Sequence, residues 1–382
     1  VGELAELAKI DKVKLTSVIR EAGNAYVNDW KCSDCGKPFI FSGRSDFTRN
    51  RTFLINASYL QRSFICGECE QKRRGKEILE KKRQDEIARK AREAVEIELR
   101  NKIREVYDLS NRPLIDVGDL SLTDIIYMLS ILRGGAYESL TKIMPVGIFE
   151  QPLSADDDFS TEIINHLHQR KLIYVHPDTE PEAFVNDDIS KFYIYRVYYA
   201  PPISQKAPDD PKMLVTELLN HVNNEWSDEW CQEALGIWKK IALSECKEYL
   251  LFVLNEHHFE FSPGEKTTQS LEYALEYFST AQIYNTIWRA AKDAAAYFQR
   301  ETISKRQAAN AAITYIQRIS ERAVAENWEI KPFGRNYKCP QSVISEVLYN
   351  SAIKLGEGGF QLIPNLETIR AKKLLSSSPK TG

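Results

Sequence analysis

Apolar residues recur at helical spacing over most of the chain, which predicts a mainly α-helical protein. One or two short helices are expected in residues 1–24, and one long helix in residues 69–107, where an apolar residue returns every fourth position from Ile87 to Ile103. The long helix would measure about 55–60 Å at 1.5 Å per residue. Two further helices are predicted over 122–132, with Ser121 as N-cap, and over 160–170.

The middle of the chain adds strand-like segments to this helical pattern. Residues 172–175 are apolar and β-branched, and residues 192–199 alternate and are rich in tyrosine. Helix, helix, strand, loop and strand is the order of a winged helix, so we predict a winged-helix-like α+β domain in residues 111–200. Its expected recognition helix, residues 160–171, carries only Arg170 and Lys171 as cations, which favours contacts with protein over contacts with DNA.

Prolines mark the boundary to a C-terminal helical region. Residues 201–212 contain four prolines and predict a linker. Beyond it, tryptophans and aliphatic residues between Trp226 and Ile241 fall on one helix face that we expect to be buried. Helices are also predicted over 271–299 and 304–327, and the alanines of the second predict close helix packing.

Charge is unevenly distributed along the 382 residues, although the net charge is only −3. Residues 1–106 carry 23 Lys and Arg against 17 Asp and Glu, residues 107–200 carry 7 against 15, and residues 201–382 carry 21 against 22. An anionic partner such as nucleic acid would be attracted to the N-terminal third and repelled by the middle. No apolar run approaches the roughly 18–20 residues that cross a bilayer, and no export signal is evident, so we expect a soluble cytoplasmic protein without membrane contacts.

Four of the seven cysteines form two Cys-x-x-Cys pairs separated by 30 residues. The four are Cys32, Cys35, Cys66 and Cys69. Thiolates at i and i+3 across a tight turn can share one tetrahedral ion, and two such pairs complete a closed, structural four-thiolate zinc site. Gly36 and Gly67 are expected to supply the backbone freedom of these turns. Disulfide pairing is the alternative, which the odd cysteine count and the missing export signal disfavour.

The first pair opens the sequence CSDCGKPFIFS in residues 32–42, and the second pair is followed by a basic stretch. This combination resembles the bacterial "probable zinc-ribbon" family, whose signature is CxDCGxxFxF with a later CxxC. The resemblance covers about residues 30–76 and implies a zinc-ribbon fold with the four cysteines as ligands, but no activity. Nucleases of the HNH type share the outer spacing and need a histidine between the pairs, and residues 36–65 contain none.

The first half of the predicted long helix is basic, with ten Lys and Arg against four Asp and Glu in residues 71–92. One interpretation is a solvated helix with i,i+4 ion pairs such as Glu77 with Lys81 and Glu86 with Lys90. Another is a coiled-coil arm, which the four-residue apolar spacing disfavours. A third is a phosphate-binding surface continuous with the arginines between the cysteine pairs. The candidate nucleic-acid-binding residues are Arg44, Arg49, Arg51, Lys72, Arg73, Arg74 and Lys76.

Candidate catalytic and further metal-binding groups are few. Residues 256–260, with the sequence EHHFE, could support metal-assisted or acid–base chemistry, but adjacent residues point to different faces. Residues 331–340 interleave cations with aromatics, as single-strand-binding surfaces do, and include Cys339, for which a buried, inert thiol is the favoured interpretation. The histidines of residues 166–176 lack the carboxylate pattern of a metal site. Walker A, GxGxxG and GxSxG motifs are absent from the sequence.

Together these patterns predict a mainly α, multi-domain protein. The expected parts are N-terminal helices with the zinc ribbon (1–76), a long charged helix (77–110), a winged-helix-like acidic domain (111–200), a proline-rich linker (201–212) and a helical domain (213–382). The first hypothesis is a non-enzymatic zinc protein that binds nucleic-acid phosphates through its basic N-terminal region and acts as an adaptor to other proteins. The alternatives are a scaffold subunit of a bacterial DNA-processing or phage-defence complex without direct nucleic-acid binding, and a hydrolase with its site in the C-terminal helical domain.

Overall fold

The computed structural model describes residues 2–7, 9, 11–22, 25–41, 46, 65–186 and 188–376. The chain divides into two compact units, residues 1–95 and residues 96–382. Helices predominate in the described residues, as the hydrophobic periodicity predicts. None of the described helices combines the length and the apolar content that crossing a membrane requires.

The first unit begins with two short helices and a strand pair. They are α1 (Gly2–Leu7), α2 (Lys12–Ala22), β1 (Ala25–Lys31) and β2 (Pro38–Phe41). The strands are antiparallel, with Ala25 opposite Phe41 and a bulge between Val27 and Lys31. The two helices confirm the prediction for residues 1–24. Among the side chains of these elements that the structure describes, Ala5, Leu15 and Phe41 are buried.

The predicted long helix is confirmed as α3 (Gly67–Val106), which begins in the first unit and ends in the second. Its polar first half forms i,i+4 ion pairs, with Arg74 against Glu70 at 2.6 Å and Lys90 against Glu86 at 2.9 Å. The apolar stripe is buried only at its C-terminal end, where Ile103 is fully buried in the second unit.

Ten α-helices follow α3 in the described part of the chain, with one π-helix, Val347–Ala352. They are α4 (Leu122–Gly135), α5 (Asp157–Gln169), α6 (Pro211–Asn223), α7 (Asp228–Glu256), α8 (Glu265–Tyr277), α9 (Thr280–Arg300), α10 (Lys305–Ala325), α11 (Val343–Glu346), α12 (Gly358–Gln361) and α13 (Leu366–Ser376). Ser121 caps α4 and Ser304 caps α10, as predicted. The single helix expected over 271–299 is wrong, because the chain breaks at Phe278 and the Ser279 side chain caps a new helix by accepting from the N–H of Gln282.

The strands of the second unit are short and pair two by two. They are β3 (Leu114–Ile115) with β8 (Ile203–Ser204), parallel; β4 (Tyr174–Val175) with β7 (Tyr199–Ala200), antiparallel; and β5 (Phe184–Val185) with β6 (Asp188–Phe192), antiparallel. The strand predicted over 192–199 is wrong, since the chain turns there and the N–H of Arg196 donates to the carbonyl of Tyr193 at 2.8 Å. Val197 and Tyr199, after the turn, are both fully buried in the core. The winged-helix arrangement is therefore not confirmed.

Two apolar clusters fill the second unit. The first contains side chains from α4, α5, the first half of α7 and the π-helix, with Trp238 fully buried among them. The second lies between the second half of α7 and helices α8 to α10, where Ala290, Ala294, Ala308 and Ala312 are all fully buried and allow the close packing predicted from the alanines.

The expected linker is part of the second unit's packing. Within residues 201–212, β8 pairs with β3 and the carbonyl of Pro201 accepts from Arg112 at 2.6 Å. Because the first apolar cluster draws on both sides of this segment, residues 111–200 and 213–382 share a core.

Candidate metal centre

The four paired cysteines lie together in the first unit. Their Sγ atoms are all within 4.8 Å of one another, and in the described residues no other group of histidine, cysteine and acidic side chains comes together in this way. The Sγ atoms of Cys35 and Cys66 are 3.6 Å apart. This is the arrangement that the two Cys-x-x-Cys pairs predict.

The first pair lies on the turn that joins β1 to β2. The Cys32 N–H donates to the carbonyl of Lys37 at 2.8 Å, and the Gly36 N–H donates back to the carbonyl of Cys32 at 2.9 Å. Gly36 has a φ of 72°, in the left-handed region that favours glycine. The predicted need for glycine is confirmed at this turn, which directs Cys32 and Cys35 to the same side.

The second pair is held by the start of α3. Cys66 precedes the first helical residue, and the N–H of Glu70 donates to the carbonyl of Cys66 at 2.9 Å. The i,i+3 spacing of the helix then places Cys69 one turn away, on the same face as Cys66. Gly67 is an ordinary helical residue without a positive φ, so the backbone freedom expected of it is not used.

Hydrogen bonds and neighbouring thiols give the cysteines of the cluster different pKa values. The N–H of Cys66 donates to Cys32 Sγ at 3.3 Å and is the main cause that lowers the pKa of Cys32 to about 6. The thiol of Cys69 faces Cys66 first and Cys35 next, and these neighbours raise the pKa of Cys69 to about 12. Four thiolates cannot share so small a space without a cation, because each one disfavours the next.

The donor set and the spacing fit a metal ion bound by four thiolates. A zinc–sulfur distance of about 2.3 Å in a tetrahedron separates the sulfurs by about 3.8 Å. The sulfurs here are within 4.8 Å of one another, which is consistent with zinc. All seven cysteines are free thiols, and the 3.6 Å between Cys35 and Cys66 Sγ far exceeds a sulfur–sulfur bond of about 2.05 Å. The cluster therefore contains no disulfide bond in this structure.

Beyond the cysteines, α3 presents its cations unevenly. At about 100° per residue, Lys72, Lys76, Arg83 and Lys90 fall within about 40° of one another around the helix axis. We call these four residues the basic stripe. All four side chains are exposed, and among the described residues only Lys90 of the stripe has an ion-pair partner.

The predicted nucleic-acid-binding residues fall into three groups. Arg44, Arg49 and Arg51 lie outside the described residues, and their role stays a prediction. Arg74 is exposed and paired with Glu70. The remaining three are exposed and have no ion-pair partner in the described chain; they are Lys72, Arg73 and Lys76.

The other candidate sites are not assembled by the fold. The side chains of residues 256–260 join no cluster with metal-binding geometry among the described residues. His166 Nε2 instead contacts Asp124 Oδ1 at 2.7 Å, which ties α5 to α4. Cys339 is buried, as predicted, and burial raises its pKa to about 12; its lack of reactivity stays a prediction.

Sequence reasoning missed a buried ion pair in the second unit. Glu245 is fully buried, and its Oε1 accepts from Arg335 Nη1 at 2.9 Å and from Ser345 Oγ at 3.0 Å. The sequence does carry a signal for the burial of Glu245, which is its spacing along α7. Glu245 stands four residues after Ile241 and seven after Trp238, and therefore on the apolar face of the helix.

Comparison with known protein families, with characterised proteins and with solved structures gives no match to this chain. Two features of the described residues bear on function. They are the four-cysteine cluster and the basic stripe, which begins three residues after Cys69.

Proposed function

We propose that this is a non-enzymatic zinc protein that binds nucleic-acid phosphates through its first unit and acts as an adaptor to other proteins through its second. Four thiolates in tetrahedral spacing are the ligand set of structural zinc sites, and such a site leaves no open position for water or substrate. The resemblance of residues 30–76 to the probable zinc-ribbon family supports the same metal. Zinc would fix the turn of residues 32–37 to the start of α3.

The observation that carries the nucleic-acid proposal is the asymmetry of charge around α3. The basic stripe extends from Lys72 to Lys90, a rise of about 27 Å at 1.5 Å per residue, and three of its four cations have no ion-pair partner in the described chain. Such a row of free cations can neutralise successive phosphates and release their counterions.

The opposite side of α3 shows the contrast. Three cations, Arg74, Lys81 and Arg92, lie about 180–200° around the helix axis from Lys72. The same side, at about 140–220°, carries as many carboxylates, those of Glu70, Glu77 and Asp85. Phosphate recognition needs clustered positive charge rather than a high total of it. The asymmetry therefore favours the stripe over a helix that is simply solvated.

The adaptor role is supported by the charge of the second unit. Residues 96–382 carry 31 Lys and Arg against 40 Asp and Glu, while residues 1–95 carry 20 against 14. An overall acidic unit is repelled by a nucleic-acid backbone and remains available for contacts with proteins. A cytoplasmic location is part of this proposal.

Salt-dependent binding to a labelled DNA duplex tests the proposal. We expect the triple variant Lys72→Gln, Lys76→Gln, Arg83→Gln to bind at least about tenfold more weakly at moderate salt, with a log–log salt slope smaller by about 2–3, because each lost phosphate contact removes about 0.9 from the slope. The matched control is Lys81→Gln, Arg89→Gln, Arg92→Gln, which removes the same charge from other faces of the same helix and should bind within about twofold of the unmodified chain.

Two results would contradict the proposal. Equal weakening by both triple variants would show that net charge, and not the stripe, determines binding. No binding at any salt concentration would leave the scaffold without nucleic-acid contacts as the better interpretation.

A further inference from the structure

An exposed tryptophan stands among cations on the second unit. Trp288 of α9 is 43% exposed, and Lys292 Nζ lies 5.2 Å from the centre of its ring. Arg289 and Lys331 are also exposed. We call Trp288, Arg289, Lys292 and Lys331 the α9 surface.

The α9 surface is fixed in place by a neighbouring segment. The carbonyls of Ile330 and Lys331 accept from the side chains of Gln282, at 3.0 Å, and Asn285, at 2.8 Å. The N–H of Phe333 then donates to the carbonyl of Ala281 at 2.9 Å. These three bonds hold the segment 330–333 against α9.

The fixed segment braces the exposed tryptophan. The ring of Phe333 packs edge-on against Trp288, with centroids 6.1 Å apart and planes at 61°. An exposed aromatic ring that is already ordered loses little conformational entropy when a ligand covers it.

The charge of this surface opposes that of its unit. The unit as a whole has nine more acidic than basic residues, yet the outward side of α9 carries Arg289, Lys292 and Arg300 against Asp293. The exposed Glu329 stands two residues before Lys331. In the part of the chain that the structure describes, none of the cations of the α9 surface has an ion-pair partner within 4.0 Å. The surface is therefore locally cationic and suited to an anionic ligand.

The structure shows which residues of the interleaved motif 331–340 are accessible to a ligand. Arg335 turns inward to Glu245 and Cys339 is buried, so neither is available to a ligand. Lys331 is exposed, and its carbonyl accepts from the side chain of Asn285, which precedes Trp288 by three residues on α9. The exposed cations and the exposed aromatic ring therefore come from two parts of the chain. Lys331 belongs to the motif, and Trp288, Arg289 and Lys292 belong to α9.

We propose that the α9 surface binds single-stranded nucleic acid, with one base stacked on Trp288 and the adjacent phosphates on Arg289, Lys292 and Lys331. Base stacking on an aromatic ring combined with a cationic path for the backbone is the common mode of single-strand binding. A duplex keeps its base faces covered and cannot use the tryptophan. The inference rests on the proposed function only in sharing nucleic acid as the ligand.

The test measures fluorescence anisotropy of the full chain with labelled oligo(dT) of about 12 nucleotides and with a duplex of equal length. Trp288→Ala should bind the single strand at least about fivefold more weakly and the duplex within about twofold, whereas Trp288→Phe should retain most of the single-strand affinity. The matched control is Tyr277→Ala, which removes another exposed aromatic of the same unit, 44% exposed on α8, and should leave both affinities unchanged.

The outcomes separate this inference from the proposed function. Unchanged single-strand affinity in Trp288→Ala, or an equal loss for single strand and duplex, overturns base stacking on the α9 surface. Displacement of the oligonucleotide by polyglutamate at equal charge concentration overturns it in favour of an acidic protein partner. If the basic-stripe variant loses duplex binding while Trp288→Ala changes nothing, the proposed function stands and this inference fails. If the basic-stripe variant keeps duplex binding while Trp288→Ala weakens single-strand binding, this inference stands and the proposed function fails.

Discussion

Two carboxylates three residues apart on α7 have different surroundings. Glu245 is fully buried and paired with Arg335, while Glu248 is partly buried and its Oε2 has no hydrogen-bond partner among the described residues. Burial, and then the nearby charge of Glu245, raises the pKa of Glu248 to about 7. A carboxyl group near neutrality inside a helical core makes stability sensitive to pH, because the folded chain holds a proton that the unfolded chain releases.

The sign of that sensitivity follows from the raised pKa. Between the ordinary glutamate pKa and about 7 the folded state binds more protons, so the contribution of Glu248 to stability is present at pH 5 and is lost as the pH rises towards 8. We expect a loss of about 2–3 kcal/mol from this group, since each pKa unit is worth about 1.4 kcal/mol. Urea unfolding of the full chain at pH 5 and pH 8, with and without Glu248→Gln, measures it.

The matched control for this prediction is Glu256→Gln, an exposed glutamate at the end of the same helix. We expect Glu248→Gln to flatten the pH dependence and Glu256→Gln to leave it as in the unmodified chain. A pH dependence that survives Glu248→Gln in full would show that Glu248 titrates normally.

At the scale of elements, the second unit is held together by contacts between distant parts of the chain. The segment between α10 and α11 has no regular structure. Arg335 of this segment nevertheless binds Glu245 of α7. At the end of the segment, the N–H of Val343 donates to the carbonyl of Pro152 at 2.9 Å. The buried Arg335–Glu245 ion pair ties this segment to α7, and Lys338 Nζ adds an exposed contact with Glu256 Oε1 at 3.8 Å. Removing one partner leaves the other charge buried without compensation.

Arg335→Met is therefore expected to lower the free energy of unfolding by about 3–5 kcal/mol. Combining it with Glu245→Leu should recover much of that loss, because two apolar side chains of similar size avoid the buried unpaired charge. Chemical unfolding of the two single variants and the double variant gives the coupling energy. Losses that simply add would show that the pair does not act as a unit.

Sequence patterns predicted those elements that local chemistry determines. Ser121 and Ser304 cap helices where the periodicity begins, and α3 extends over the polar segment without proline. The break before Ser279 was missed although its signal is local, since Ser279 and Gln282 form a capping box. The turn in 193–197 was missed because it depends on what the neighbouring side chains pack against. The burial of Glu245 was missed for the same reason, since its partner is 90 positions away in the sequence.

At the scale of the whole molecule, the two units differ in how they are stabilised. The second unit contains two large apolar clusters, whereas the described residues of the first bury few apolar side chains, among them Ala5, Leu15 and Phe41. A structural metal is a common source of stability for a small unit. The four ligands could be predicted because cysteine spacing encodes them directly, while the structure of the segment between the pairs could not.

Removal of the metal is therefore expected to unfold the first unit and to leave the second folded. A structural zinc site contributes on the order of 10 kcal/mol of binding free energy, which a small core cannot replace. Purified protein should contain one zinc per chain, and a strong chelator should abolish amide-exchange protection in α2 and β1 while protection in α7 and α9 remains.

Cys35→Ser should lose the metal, whereas Cys231→Ser, in the core of the second unit, should keep it. Because the basic stripe begins three residues after Cys69, duplex binding should fall together with the zinc content, and duplex binding that persists without zinc would separate the metal from the proposed function.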